Sequence, residues 1–172
     1  HYDHGSEGVW WGDDELPCLE AADAELLRGR EVYANNCSSA KTLGAEAYRH
    51  GARAYWGYTD VVSYTTDARA EFMEAFNYGI KRRRDGMPFY PDALEATKRR
   101  MVELSELLYG SGRPLAASCM DDDRKILVCY TAENPPLPPE PTCPVSRVIQ
   151  RLFGYEVLQA LRRVRDAVTG KA

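Results

Sequence analysis

His4-Gly5 stands 33 residues ahead of Cys37 (37 − 4), and each lies where an apolar or aromatic segment gives way to small, polar residues. Those types in that order suit a thiol nucleophile and its general base. Histidine takes up a proton near neutral pH, and thiolate is the strong nucleophile of the cysteine side chain. Cys37 follows the strand-like run Glu31-Val32-Tyr33-Ala34-Asn35-Asn36 and precedes a helical pattern. A cysteine at such a junction has free backbone N–H groups and a positive helix end nearby, both of which favour the thiolate. Taken alone, a cysteine is more often a small buried hydrophobe, and a histidine a surface or satisfied core residue. The shared context of His4 and Cys37 favours the chemical reading.

Three stretches carry a resemblance: His4-Gly5; Val32-Tyr33-Ala34-Asn35-Asn36-Cys37-Ser38-Ser39-Ala40 with Leu43-Gly44; and Gly51-Ala52-Arg53-Ala54-Tyr55-Trp56-Gly57-Tyr58. In this order they resemble the caspase–gingipain clan of cysteine peptidases, closest to gingipain-like and CHAT-type domains, over residues 1 to about 130. The resemblance implies an α/β fold, a caspase-like three-layer sandwich with a mostly parallel sheet. It also implies strands ahead of His4, whereas the sequence begins at His1, inside the motif. The expectation is the C-terminal part of a longer polypeptide, or one chain of a processed enzyme, whose missing N-terminal part is a partner. Asp3 stands where relatives commonly have Gly.

The activity implied is peptide-bond cleavage in a peptide or protein substrate, with Cys37 as nucleophile and His4 as general base and acid. By the same analogy the backbone N–H groups of Gly5 and Cys37 hold the oxyanion. No metal and no organic cofactor are implied. Thr59-Asp60 follows the strand that ends at Tyr58. In open α/β sheets ligands sit beyond the carboxyl ends of strands, so Tyr58, Thr59 and Asp60 are candidate pocket residues. An ionised Asp60 there would favour cleavage after a basic residue, although a loop turn and helix cap is the commoner use of such an aspartate. Trp10 and Trp11, in the Gly-punctuated loop 5–12, either wall a substrate cleft or plug the interior. The rival readings are a non-catalytic caspase-like scaffold or sensor in a multidomain protein, and another thiol chemistry such as an acyltransferase or amidase.

These residues need elements to position them. The sequence predicts a strand over 30–34, a helix over 42–50 ended by Gly51, and a buried strand over 52–58. Next comes an amphipathic helix over 67–80 with Phe72, Ala75, Phe76 and Ile80 on one face. The basic run 81–84 reads as a solvated helix end. A long helix over 92–109 follows, then a hairpin formed by 115–120 and 126–130 around Asp121-Asp122-Asp123. The three aspartates lack the alternating ligands of a calcium loop. Six prolines between 134 and 144 mark an extended linker. Residues 145–172 read as a helical tail with Val157, Leu161, Val164 and Val168 in one stripe. The domain division is therefore a catalytic region over 1–133, a linker over 134–144 and a tail over 145–172.

Composition narrows the classes. Hydrophobic residues make up 44% and charged residues 28%, as in globular proteins, and a net charge of −4 gives no reason to expect nucleic acid. Five cysteines without a CxxC pair argue against both a disulfide scaffold and a zinc ribbon, and favour a reducing, cytoplasmic setting. No apolar run reaches the ~18 residues of a membrane span.

Overall fold

The structure, a computed structural model, describes residues 5–12 and 16–137. All of these except Leu137 belong to one packed unit, which ends at Pro136. The expected tail and most of the expected linker, residues 138–172, lie outside the described residues.

The central sheet has three strands, β4 (Glu31–Tyr33), β5 (Ala54–Tyr58) and β6 (Leu127–Tyr130), in the order β4-β5-β6. β4 and β5 are parallel, with Val32 opposite Tyr55, and β5 and β6 are antiparallel, with Trp56 opposite Cys129. β5 is buried along its whole length, which explains its run of Ala, Tyr, Trp and Gly without a charge. Alternation sends Ala54, Trp56 and Tyr58 to one face and Tyr55 to the other. The first face packs on α2 (Arg69–Arg84), α3 (Leu94–Gly110) and α4 (Pro114–Ile126). The second packs on a 3-10 helix (Ala21–Leu27), a π turn (Ala40–Gly44) and α1 (Ala45–Arg49).

A second sheet is wholly antiparallel: β1 (Gly5–Ser6), β2 (Val9–Trp11) and β3 (Pro17–Glu20). The segment after His4 therefore turns at Glu7-Gly8 and pairs with itself.

This architecture corrects the expected fold class. More than half of the described residues are helical, and two small sheets, one mixed and one antiparallel, replace the mostly parallel sheet of a caspase-like sandwich. The physical reason lies at both ends. Strands β1, β2 and β3 pair with one another in a local meander. At the other end the expected hairpin over 115–130 is absent. Residues 114–126 form α4, opened by Pro114 in the first turn, where its missing N–H costs nothing. Ion pairs one turn apart, Arg124 with Asp121 (3.4 Å) and Lys125 with Asp122 (2.7 Å), support the helix. The chain then enters β6 directly, with Leu127 as the helix cap, running against β5.

Other elements follow the periodicity closely. α2 buries Phe72, Ala75 and Gly79 and carries the basic run in its last turn. There Arg83 pairs with Glu31 at 2.8 Å and lies over the Phe89 ring, and Arg82 lies over Tyr78. Gly79 is a packing requirement rather than a weak point. A Cβ there would lie 2.5 Å from Cη2 of Trp56.

Candidate functional site

Cys37 sits on the turn that leaves β4. Because β4 and β5 are parallel, the loops after both strands emerge at the same end of the sheet. The Ala34 N–H donates to Trp56 O at 3.0 Å, which carries the pairing one residue past the strand. Tyr33 Oη and Asn35 Nδ2 both donate to Phe76 O in α2, at 2.7 and 2.8 Å, and clamp the exit of β4 against that helix. Ser38 then takes a positive φ of 54°, a left-handed conformation uncommon for a residue with a Cβ. Its N–H donates to Asp60 O at 2.8 Å and ties the Cys37 turn to the loop after β5. The backbone thus reverses directly after Cys37, leaving the thiol half-buried at the edge of the turn.

The thiol faces a groove of about 710 Å³ between that loop and α2. Its lining includes Asn35, Val62, Phe72, Met73 and Phe76. Cys37 Sγ lies 3.8 Å from Val62 O, to which its S–H donates. Val62 is held from behind: the neighbouring Ser63 N–H donates to Asp123 Oδ1 at 2.9 Å. Asp123, in α4, is 1% exposed. Burial, against the Ser63 hydrogen bond and with help from the adjacent Asp122 charge, pushes its carboxyl up to about 7.

The hairpin β1–β2 is tied to the π turn that follows Cys37. Glu7 O accepts the N–H groups of Thr42 (3.0 Å) and Leu43 (2.9 Å), and the Glu7 carboxylate pairs with Lys41. Gly5 packs against the Cys37 turn. A Cβ on Gly5 would lie 2.5 Å from Asn36 Cβ and 2.9 Å from Cys37 O, closer than side chains approach one another. Only glycine permits this contact.

His4 lies outside the described residues. Gly5, its chain neighbour and an expected oxyanion donor, meets Cys37, the other expected donor. The side chains of the remaining expected residues lie outside the groove lining, although the Asp60 carbonyl accepts the Ser38 N–H. Trp10 is in β2 with its ring 6.3 Å from Tyr55, packed on the core beneath the π turn. Trp11 is half-buried in the same strand. Tyr58 is 1% exposed and meets Phe76 edge-on. Thr59 bonds through its N–H and its hydroxyl to Ile126 O. Asp60 is exposed, and its Oδ1 accepts the next residue's N–H at 2.8 Å. None of these five is among the groove's lining residues.

The groove's own side chains carried no sequence signal for a site. Phe72 and Phe76 read as an ordinary helical stripe. Asp123, expected in a hairpin turn, faces the interior because it belongs to a helix.

The other described thiols differ in setting. Burial pushes Cys129 up to about 12 and raises Cys119, with Asp123 and Asp122 adding to the rise at Cys119, so both stay protonated at neutral pH. Cys18 is exposed and donates to Trp10 O at 3.2 Å. Among the described residues no group of His, Cys, Asp and Glu could hold a metal ion, and no helix is long and apolar enough to cross a membrane. No protein-family model, curated protein or solved structure matches the chain.

Proposed function

We propose that the chain is a cysteine endopeptidase in which Cys37 is the nucleophile and His4 the general base and acid. The observation that supports this reading is the contact of Gly5 with Asn36 and Cys37. The residue next to the histidine is fixed at the thiol's own turn by hydrogen bonds from the segment beyond Cys37. The motif resemblance of residues 4–5, 37–40 and 51–58 is what names a peptide bond as the target.

In this reading His4 takes the Cys37 proton, and the thiolate attacks the scissile carbonyl carbon. The C–N bond then breaks, and the amine leaves with the proton held by His4. Water, deprotonated by the same imidazole, releases the acid from the thioester and restores the thiol. The backbone N–H groups of Gly5 and Cys37 serve the tetrahedral oxyanion, where a pair of fixed donors contributes most to the rate.

The test is labelling with a peptidyl electrophile, followed by mass mapping. Modification is expected at Cys37 and is expected to fall at least ~100-fold in His4→Ala, the order of a lost general base. Equal labelling of the exposed Cys18 and Cys37, unchanged in His4→Ala, would replace the enzyme with a scaffold.

A further inference from the structure

The groove in front of Cys37 has a composition that speaks to the substrate. Val62 and Tyr64 come from the loop after β5, and Phe72, Met73 and Phe76 from one side of α2. Phe72 and Phe76 are four apart and their rings are 5.8 Å apart, forming a continuous apolar wall. Among the described lining residues there is no carboxylate, and Arg69 is the charged side chain. The Asp60 carboxylate, a candidate pocket residue by its position after β5, is engaged by the Val61 N–H outside the lining.

We propose that this groove receives an apolar side chain, aromatic or branched aliphatic, from the residue next to the scissile bond, and that it disfavours Lys and Arg there. The proposal rests on the peptidase reading of Cys37. A cation in the groove would leave water without a counter-ion, and Arg69 would repel it. A Phe or Leu side chain would gain by burying its surface against Phe72, Phe76 and Val62. A carboxylate could meet Arg69 only by giving up water along the same apolar walls.

The experiment uses the full chain and four peptidyl acyloxymethyl ketones identical except for a final Phe, Leu, Arg or Asp. The rate of Cys37 modification is followed by mass. Phe and Leu probes are expected to react at least ~10-fold faster than Arg and Asp, in the range a single apolar contact set discriminates. Met73 is half-exposed on the groove wall, so Met73→Glu tests the pocket without disturbing the core. There the Arg probe should gain at least ~10-fold on the Phe probe, while iodoacetamide, too small to use the groove, reacts as before. An Arg or Asp probe reacting fastest, or four similar rates, overturns the apolar specificity. The peptidase reading survives that outcome if labelling stays selective for Cys37 and dependent on His4. Failure of every probe to label Cys37 above Cys18 ends both.

Discussion

Asp123→Asn separates two consequences of one buried carboxyl. Its ordinary value is 3.8, and the fold raises it to about 7, chiefly by burial. An unfolded chain sheds that proton near pH 4, whereas the native protein holds it until about pH 7. Between those values the native state binds more protons, so stability falls as pH rises. The contribution is complete below about pH 4 and lost through about pH 7. The rise from 3.8 to about 7 corresponds to a loss on the order of 4 kcal/mol, at about 1.4 kcal/mol per pH unit.

Asparagine does not ionise, and its Oδ1 can still accept the Ser63 N–H. Urea unfolding of both proteins at pH 4.5, 6, 7 and 8 measures the difference. Asp123→Asn should be flat across this range where the parent falls, and the more stable of the two above pH 7. The Ser63 N–H and the Asp122 charge act on Asp123, and Asp123 acts on Cys119; all three are retained in the variant. A difference between the proteins that does not change with pH would refute the assignment of the buried proton to Asp123.

Two further outcomes follow from close packing. Gly5→Ala forces a Cβ into Asn36 and Cys37; peptidyl labelling of Cys37 should slow at least ~10-fold with iodoacetamide labelling unchanged, for a stability loss of roughly 1–3 kcal/mol. Gly79→Ala drives a methyl into the Trp56 ring and should cost roughly 1–3 kcal/mol in urea unfolding, with Trp56→Phe restoring part of the loss.

Residue types and local periodicity were sufficient for several elements. The run 52–58, with Arg53 as its one charge, reads as a buried strand, and β5 occupies 54–58 of it. The 3.6-residue spacing of Phe72, Ala75, Phe76 and Ile80, and of Leu94, Met101, Leu104, Leu107 and Leu108, set α2 and α3 to within about a turn, although Leu107 proves to be exposed. The close approach of Gly5 to the Cys37 turn depends on how the β1–β2 hairpin docks, whereas His4 lies outside the described residues.

What remained was non-local. Three aspartates in a row favour a turn by composition, yet in α4 two of them pair with cations one turn on and the third faces inward. Whether that segment is helix or hairpin depends on what covers it, and the same choice reverses β6 and makes the sheet mixed. The groove is assembled from residue 35, the loop at 62–66 and helix positions 69–77, brought together only when α2 packs across the sheet. Sequence order fixes which faces are apolar, but the partners of those faces are chosen by long-range packing.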